Sequence, residues 1–269
     1  MPQTILITGA SSGIGRVTAE HFAAQGWNVI ATMRRPEAET ALTDLPNVLV
    51  TRLDVTDPAS ITAAVAAGID RFGAIDALLN NAGYGAYGPL EAFPMENIRR
   101  QFDTNVIGLL AVTQAVLPHM RAQASGVIVN ISSIGGQMTF PLGALYHGTK
   151  FAVEGISEAM SYEMEAIGVR MKIVQPGLIA TDFGGRSFDF TNDESMAEYQ
   201  GIVGALFAGW SGMTGSPAQV VADVIWQAVT DGSDQLRYRA GDDAHALLDQ
   251  RKAADDATFM AGIKGMLGL

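Results

Sequence analysis

The sequence TGASSGIG at residues 8–15 decides the fold, because it joins two segments of different periodicity. Before it, TILIT at residues 4–8 is a short run of β-branched and aliphatic residues, which is typical of a buried strand. After it, residues 14–25 place apolar side chains at helical spacing and stop before Gly26. These residues predict a strand, a glycine-rich turn and a helix.

A turn of this composition, between a strand and a helix, is suited to phosphate. Gly9 permits a tight turn, Gly13 lets the backbone approach a pyrophosphate, and Gly15 leaves room for the helix against the strand. Ser11 and Ser12 add hydroxyl donors, and the helix N-terminus favours an anion. The turn therefore predicts a dinucleotide site. The alternative is a glycine-rich turn that binds no ligand.

The alternation of strand and helix continues along the chain. Strands that alternate with helices at this spacing form a parallel sheet covered on both faces. We therefore predict the α/β class, with one domain over residues 1–269 built on a doubly wound sheet. The predicted strands are residues 4–8, 27–33, 47–55, 75–80, 126–132, 169–176 and 236–241, and the later predicted helices are residues 58–72, 95–121, 144–167 and 217–230.

The alternation fails between residues 181 and 215. Glycine, aromatic and acidic residues are mixed there, and the apolar run that follows them has no clean period. A segment of this length inside a compact domain is usually a functional lid or a disordered insertion. We expect residues 181–215 to form a substrate-binding lid between the sixth and seventh strands.

Composition limits the classes of partner. Of the 269 residues, 48% are hydrophobic and 17% are charged, and the formal net charge is -11. This charge predicts a protein that binds neither nucleic acid nor an anionic membrane surface. Cysteine is absent and the four histidines lack metal-ligand spacing, so we expect no thiolate chemistry and no metal. With no apolar stretch long enough for a bilayer and no signal peptide expected, a cytoplasmic protein is favoured.

Two arginines stand where the second strand ends, about 20 residues beyond the glycine-rich turn. At this place an acid would bind the ribose 2'-hydroxyl of NAD, whereas an arginine accommodates the 2'-phosphate of NADP. Arg34 and Arg35 occupy it, and the first acid, Glu37, lies beyond Pro36. We expect NADP(H) to be preferred over NAD(H), with Arg34 as the main clamp and Arg35 next. The alternative is that both are ordinary surface charges.

Polar residues also follow the third and fourth strands. Asp54, followed by Val55, is suited to bind an adenine amino group or, alternatively, to cap the next helix. NNAG at residues 80–83 supplies two amides and a glycine. Ligands of parallel sheets lie beyond the carboxyl ends of the strands, which favours a cofactor role for both segments. A plain turn would also use the residues of NNAG.

YHGTKFAVEG at residues 146–155 begins a predicted helix, and it places Tyr146 and Lys150 on one helical face. A nearby ammonium favours the phenolate, which predicts a lowered tyrosine pKa suited to acid–base chemistry. The fifth strand ends at Ser132 and Ser133, so at least one hydroxyl reaches the same crevice and is suited to polarise a carbonyl. In isolation, a solvated helix face explains the tyrosine–lysine pair more simply.

The motifs TGASSGIG, NNAG, NISS, YHGTK and PGLIAT follow one another in an order and spacing that resemble the short-chain dehydrogenase/reductase family over nearly the whole chain. The resemblance implies a seven-stranded Rossmann sheet of order 3-2-1-4-5-6-7 and metal-free oxidoreduction between an alcohol and a carbonyl. It assigns the general acid/base to Tyr146 and the orientation of the substrate oxygen to Ser133. Lys150 would lower the pKa of the tyrosine and bind the nicotinamide ribose. Asn105 in DTNVIG resembles the asparagine that anchors a water relay, a locally bonded helix amide being the alternative.

The expected cofactor contacts come from all these motifs. PGLIAT resembles the segment that holds the nicotinamide carboxamide, although a Pro-Gly turn alone would explain its first two residues. The predicted cofactor-binding residues are Gly9, Ser11, Ser12, Gly13, Ile14, Gly15, Arg34, Arg35, Asp54, Val55, Asn81, Ala82, Gly83, Tyr146, Lys150, Pro176, Gly177, Ile179 and Thr181.

Many members of the family have a pair of small residues after the tyrosine, whereas this sequence has His147 and Gly148 there. His147 projects about 100° away from Tyr146 on a helix, so we interpret it as a packing or interface residue without a catalytic role. The local sequence is most similar to the hydroxysteroid and retinol dehydrogenase subgroup. We expect a hydrophobic or aromatic substrate. The candidate lining residues are Tyr84, Met138, Phe140, Phe183, Phe188 and Phe207. An ordinary core would explain these side chains equally well.

These observations favour an NADP(H)-dependent oxidoreductase that interconverts a carbonyl and an alcohol. One alternative is an NADP-binding sensor or scaffold without turnover, which would not need the acid–base pair. Another is an epimerase or dehydratase of the extended type, for which 269 residues leave little room. We also expect a homodimer or homotetramer, with the predicted helices at residues 95–121 and 144–167 as candidate surfaces.

Overall fold

The computed structural model describes residues 2–181, 185 and 187–269. Seven parallel strands form its central sheet, in the order 3-2-1-4-5-6-7 that the family resemblance implied. All seven predicted strands are therefore confirmed, each within a few residues of the expected bounds. The strands are β1 (Thr4–Ile7), β2 (Asn28–Met33), β3 (Val48–Arg52), β4 (Ala77–Asn80), β5 (Gly126–Ile131), β6 (Val169–Pro176) and β7 (Arg237–Ala240).

Helices cover both faces of this sheet, because successive strand residues point to opposite sides. Ile5 and Ile7 of β1 face one apolar core, and Leu6 between them faces the other. The first core packs against α1 (Gly13–Ala24) and α7 (Ala218–Thr230). The second packs against α2 (Pro58–Phe72), α4 (Gly108–Gln123) and α5 (Ala144–Glu165).

The predicted start of α2 is confirmed. Asp57 precedes the helix, and its carboxylate accepts hydrogen bonds from the backbone N–H groups of Ala59 (3.1 Å) and Ser60 (3.3 Å). Pro58 occupies the first helical position, where its missing N–H costs nothing. Gly73 ends the helix in a left-handed conformation.

The predicted helical segment at residues 95–121 consists of two α-helices joined by a wider turn. Here α3 (Met95–Phe102) passes into a π-helical turn, Asp103–Ile107, and continues as α4. Turns of this kind often occur at functional sites because they re-aim the side chains that follow. Asn105 lies in this turn and is buried.

The 181–215 segment leaves and rejoins the sheet domain at one place. Ile179–Ala180 pairs in parallel with Ser216–Pro217, so the two ends of the segment lie side by side. Ser216 and Pro217 are thus not the first turn of a helix, and α7 begins at Ala218. Within the segment, Phe188–Phe190 pairs with the short strand Gly85–Tyr87.

A helix that the sequence did not predict, α6 (Ala197–Ser211), completes the 181–215 segment. It packs against two C-terminal helices, α8 (Asp242–Ala253) and α9 (Asp256–Leu267). Their contact buries Leu206 of α6 against Phe259 and other apolar residues. No helix in the described ranges has the length and apolarity needed to cross a membrane.

Candidate functional site

The glycine-rich turn after β1 is shaped by backbone that other residues tolerate poorly. Gly9 has a φ of 70° and Gly13 a φ of 55°, both in the left-handed region that favours glycine. A Cβ added to Gly15 would lie 2.4 Å from the carbonyl oxygen of Gly9 and 2.5 Å from Nδ2 of Asn81. This contact lets α1 approach the turn closely, as expected from the sequence.

Asn81, from NNAG, holds the glycine-rich turn from the neighbouring strand. Its Nδ2 donates to the carbonyl oxygens of Thr8 (2.9 Å) and Gly9 (3.2 Å), while its backbone N–H donates to the Thr8 hydroxyl (2.9 Å). The amide nitrogen and the backbone N–H of Asn81 are therefore engaged by the protein. Asn81 shapes the turn, and the cofactor contacts of Asn81, Ala82 and Gly83 stay predictions.

The first turn of α1 is suited to an anion. Ser12 stands at the N-cap, but its side chain makes no capping hydrogen bond, and no acidic residue lies in the first turn. The helix dipole and its unpaired N–H groups therefore favour negative charge there. A Cβ added to Gly13 would come within 3.5 Å of Thr181, which places the end of PGLIAT opposite the turn. This glycine-lined cradle fits the pyrophosphate of a dinucleotide.

The two arginines lie beside this cradle. The N–H of Ala10 donates to the carbonyl oxygen of Thr32 (2.9 Å), so the turn is fixed against the end of β2. Arg34 and Arg35 follow immediately and both side chains are exposed. The N–H of Leu53 in turn donates to the carbonyl oxygen of Met33 (3.0 Å) and brings the end of β3 alongside.

Asp54 and Val55 follow β3 on the same edge of the sheet. One carboxylate oxygen of Asp54 accepts from the backbone N–H (3.0 Å) and the hydroxyl (2.8 Å) of Thr56. The helix-capping alternative is wrong for Asp54, since Asp57 is the residue that caps α2. Val55 is buried against Gly108 of α4 and contributes packing at this edge.

Ser133 and Tyr146 meet beyond the end of β5. The Ser133 hydroxyl accepts from the N–H of Gly135 (3.0 Å), which anchors it, whereas the Ser132 hydroxyl is buried beneath the same turn. Burial raises the pKa of Tyr146, and a hydrogen bond with Ser133 lowers it by a smaller amount. The predicted lowering of the tyrosine pKa is thus wrong for this arrangement, in which the phenol keeps its proton at neutral pH.

Lys150 lies under the same tyrosine. Its Nζ is 5.7 Å from the centre of the Tyr146 ring and donates to the carbonyl oxygen of Ile131 at 2.9 Å. Burial lowers the pKa of Lys150 to about 8, while the charge of Glu154 raises it. The ammonium thus lies within cation–π distance of the ring, and burial remains the largest influence on the pKa of Tyr146.

Asn105 is adjacent to this pair and bonds to residues distant in sequence, so the locally bonded helix amide is wrong. Its Nδ2 donates to the carbonyl oxygen of Tyr84 (2.8 Å) and to the hydroxyl of Thr149 (3.1 Å), and its Oδ1 accepts from the N–H of Tyr84 (3.1 Å). These bonds join the segment after β4 to α5, one residue before Lys150. A role in a water relay stays a prediction.

Comparison with known proteins agrees with this geometry. The sequence profile described as "short chain dehydrogenase" matches residues 3–191. This chain belongs to the short-chain dehydrogenase family. The dehydrogenase is 46% identical to an uncharacterized oxidoreductase of Schizosaccharomyces pombe, over 88% of this chain and 100% of that protein. It is 41% identical to a 3-ketodihydrosphingosine reductase of Bacteroides thetaiotaomicron, over 74% of this chain and 70% of that protein.

Solved structures are similar over most of the dehydrogenase. A short-chain dehydrogenase from Streptomyces avermitilis superposes with a TM-score of 0.80 and 36% identity, over 94% of this chain and 95% of that chain. ElxO, solved with NADP bound, has a TM-score of 0.73 and 28% identity, over 89% of this chain and 98% of that chain. A Burkholderia phymatum enzyme in complex with NAD has a TM-score of 0.76 and 25% identity, over 93% and 92% of the two chains. These similarities support a nicotinamide cofactor for the dehydrogenase.

His147 of the dehydrogenase is buried beside Ser133. Its Nδ1 donates to the carbonyl oxygen of Gly135 (3.0 Å), and its Nε2 accepts from the N–H of Phe140 (3.0 Å). Burial lowers the pKa of His147 to about 4, so the imidazole is neutral at physiological pH. It joins two turns around the site, a packing role of the kind the sequence suggested.

Asp243 is a residue of this edge that the sequence did not single out. Its Oδ2 accepts from the N–H of Leu178 (2.6 Å), and a Cβ on Gly177 would lie 2.2 Å from its Oδ1. The carboxylate therefore requires glycine at 177 and fixes the path of the chain beyond Pro176. Because Asp243 comes 65 residues after Leu178, no local pattern indicates this contact.

Aromatic rings surround the tyrosine on the side of the 181–215 segment. The centre of the Tyr87 ring lies 5.6 Å from Tyr146, 5.5 Å from Phe188 and 5.2 Å from Trp210. Tyr87 and Trp210 were not among the predicted lining residues. Three predicted lining residues, Met138, Phe140 and Phe188, lie in this cluster, and Phe207 packs at its edge on Phe190. Tyr84 packs on Arg100 instead. Phe183 lies outside the described residues.

The placement of acidic and histidine side chains bears on metal binding. In residues 2–181, 185 and 187–269, no group of three or more histidine, cysteine or acidic side chains is arranged to hold a metal ion. Ser133, Tyr146 and Lys150 lie together beside this aromatic cluster, which Tyr146 joins through Tyr87. Proton transfer is the chemistry that this set supports best.

Proposed function

We propose that this dehydrogenase interconverts a carbonyl and an alcohol with NADP(H), with Tyr146 as the general acid/base. The observation that carries the proposal is the hydrogen-bonded pair of Ser133 and Tyr146 at the carboxyl end of β5, with Lys150 beneath the ring. Bound NADP(H) supplies or accepts the hydride. All proton handling falls to the residues of the chain.

The raised pKa of Tyr146 suits proton donation during carbonyl reduction. A neutral phenol gives its proton to the substrate oxygen as negative charge develops there, and the Ser133 hydroxyl orients that oxygen. Lys150, held by the carbonyl of Ile131, places its positive charge near the phenolate that results. Both groups are fixed before the substrate binds, which reduces the reorganisation that the reaction requires.

Turnover itself is the first test. We expect oxidation of NADPH in the presence of ketones or aldehydes, followed by absorbance across a panel that also contains secondary alcohols with NADP. An absence of turnover across that panel would contradict the proposal and favour a cofactor-binding sensor.

Preference for NADP over NAD is proposed to depend on Arg34. We expect Arg34→Gln to raise the Kd for NADP at least tenfold, because a charge-assisted contact to the 2'-phosphate contributes about 1.5–3 kcal/mol. The Kd for NAD should change less than twofold. Titration calorimetry with both cofactors measures the difference, and Arg121→Gln on α4 is the matched control. An equal loss for both cofactors would refute the assignment of Arg34.

An apolar substrate is proposed from the aromatic cluster, with residues 181–215 as the lid that covers it. The named activity of the Bacteroides relative, on a 3-ketodihydrosphingosine, is compatible with a long aliphatic substrate. Trp210 of α6 and Phe188 bring side chains of this segment to Tyr87, whose ring lies beside the reactive tyrosine. The lid would exclude water and contact the alkyl part of the substrate.

Reduction of methyl ketones with growing alkyl chains tests this substrate class. Each CH₂ buried in the transition state contributes up to about 0.8 kcal/mol, so kcat/KM should rise by as much as about fourfold per CH₂. Trp210→Ala is expected to flatten this rise, whereas Tyr162→Ala, on an exposed face of α5, should preserve it. A rate that falls with chain length would contradict an apolar site.

Self-association is proposed through α3, α4 and α5. Five large apolar side chains of α3, α5 and the π-helical turn are exposed, which is unusual for surfaces that stay in water. They are Met95, Phe102, Ile107, Phe151 and Tyr162. Pairing of two copies over these helices would cover them and leave the carboxyl edge of the sheet open to ligands.

A further inference from the structure

A cavity separate from the candidate site lies against β7, the strand at the edge of the sheet opposite β3. Its volume is about 670 Å³, within the range of sites that hold small ligands. In the order of strands, β4, β5 and β6 separate it from β1 and the glycine-rich turn. Its lining residues are Gln137, Gln175, Gln235, Arg237, Arg239, His245, Leu248, Arg251 and Lys252.

This cavity, which we call the β7 cavity, has a composition unlike the rest of the protein. Three arginines, a lysine and a histidine line it, and none of the described lining residues is acidic. The whole chain has a formal net charge of -11. Each of the three arginines pairs with a carboxylate that lies outside the lining, so the β7 cavity itself presents only guanidinium, ammonium and neutral groups to an anion.

Arg237 is a fixed wall of the cavity. Its Nε donates to Oε2 of Glu154 at 2.8 Å, and the side chain of Glu154 is only 7% exposed. Nε2 of Gln175 donates to the other carboxylate oxygen of Glu154 at 2.9 Å. Arg237 also donates from Nη2 to Glu158, so two carboxylates fix its position and offset its charge. It therefore contributes shape to the cavity more than free charge.

Arg239 and Arg251 are held much less firmly. Arg239 pairs with Asp249 and Arg251 with Asp256, each at 2.6 Å, but these aspartates are 70% and 82% exposed. Surface pairs of this kind contribute little to stability. Both guanidiniums are therefore free to share or exchange their partner for a ligand, and their fork of N–H donors matches phosphate.

Lys252 adds a positive charge, and His245 adds an imidazole, without a fixed partner. Neither side chain makes a hydrogen bond or salt bridge to another described residue, and both are exposed on α8 at the mouth of the cavity. Of the available groups, Arg251, Lys252 and His245 thus lie on α8, and Arg239 lies on β7. The opposite side carries amides, because Gln175 and Gln235 come from β6 and the approach to β7.

The amides define what else a ligand needs. Nε2 of Gln235 donates to the carbonyl oxygen of Arg237 at 2.8 Å, as Nε2 of Gln175 donates to Glu154. Their Oε1 atoms remain as acceptors at the cavity. Such oxygens accept hydrogen bonds from the hydroxyl groups of a small molecule.

We propose that the β7 cavity binds a phosphate monoester that carries hydroxyl groups, distinct from the dinucleotide. The phosphate lies between Arg239, Arg251 and Lys252, and the hydroxyls donate to the oxygens of Gln175 and Gln235. Arg237 forms the back wall. This site goes beyond the oxidoreductase reaction, and its test requires no turnover.

Glycerol 3-phosphate is the probe, with inorganic phosphate and glycerol as the two partial ligands. Calorimetric titrations use the full chain saturated with NADP, so that the cofactor's own phosphate sites are occupied. We expect saturable binding of glycerol 3-phosphate, weaker binding of inorganic phosphate, and none of glycerol. Displacement of NADP by the probe, or no saturable binding, would overturn the proposal.

Variants assign the binding to the β7 cavity. Arg239→Gln combined with Arg251→Gln should weaken the probe at least tenfold, because the two guanidiniums supply the charge-assisted hydrogen bonds to its phosphate. Lys252→Glu, at an exposed position where folding is not at risk, should also weaken it about tenfold. Arg121→Gln should leave the affinity unchanged. Equal affinity in wild type and Lys252→Glu would refute the site even if the double variant failed to fold.

Discussion

Tyr146→Phe is expected to lower kcat/KM for carbonyl reduction by about 10²–10⁴-fold, the range that general acid–base catalysis contributes. The variant removes one oxygen from a half-buried ring and leaves its packing on Tyr87 in place. Ser133 and Lys150 stay in position, because each is anchored by backbone: Ser133 by Gly135 and Lys150 by Ile131. NADPH affinity should change less than threefold, measured by fluorescence titration.

The matched comparison is Tyr87→Phe, which removes a hydroxyl from the neighbouring ring. The Tyr87 hydroxyl lies 3.4 Å from Nε2 of His147, a contact too long to carry much energy. Its loss should change kcat/KM less than tenfold. Undiminished turnover in Tyr146→Phe, or an equal loss in both variants, would remove the proton-donor role from Tyr146.

Gly15→Ala should abolish tight cofactor binding and destabilise the fold. The added Cβ would lie 2.4 Å from the backbone oxygen of Gly9 and 2.5 Å from Nδ2 of Asn81, so α1 or the turn must move. Overpacking of this kind costs about 1–3 kcal/mol of unfolding free energy. Movement of the turn also disturbs the anion cradle, so the Kd for NADP should rise at least tenfold.

Gly201→Ala provides the control for this substitution. Gly201 is also inside an α-helix, but it is exposed and an added Cβ would meet no atom within 4 Å. There the same change should raise the unfolding free energy by about 0.5–1 kcal/mol, because alanine has the better helix propensity. Chemical denaturation and NADP titration of both variants measure the contrast. Similar unfolding free energies and similar Kd values for the two variants would show that a Cβ at residue 15 neither destabilises the fold nor disturbs cofactor binding.

Local sequence patterns were enough to predict the sheet and its cofactor edge. The buried runs of the strands and the glycine-rich turn are determined by residues close together in the chain, so their periodicity identifies them. The motifs also located Ser133, Tyr146 and Lys150 on neighbouring elements. The pKa of the tyrosine was not predictable in this way. Helical spacing places Lys150 one turn away, whereas burial and the bond to Ile131 decide where its charge acts.

The structure of the 181–215 segment could not be predicted from local sequence patterns. Helix α6 has buried residues only at Val203 and Leu206, so no stripe of apolar side chains identifies it. Its stability comes from α9 and from the pairing of Phe188–Phe190 with Gly85–Tyr87, about a hundred residues earlier in the chain. The same holds for Asp243 and for the β7 cavity, whose residues converge only after the sheet has formed.

The two-residue pairing of Ile179–Ala180 with Ser216–Pro217 has a consequence for how this enzyme can change. The chain leaves the sheet and returns to it at one point, so the intervening residues form an insertion with adjacent ends. The entropic cost of closing a loop grows only slowly with its length. Further residues inserted between these two ends should therefore leave the register of the strands unchanged. With the proposed lid role, substitutions confined to this one stretch would change the substrate and leave Ser133, Tyr146 and Lys150 in place.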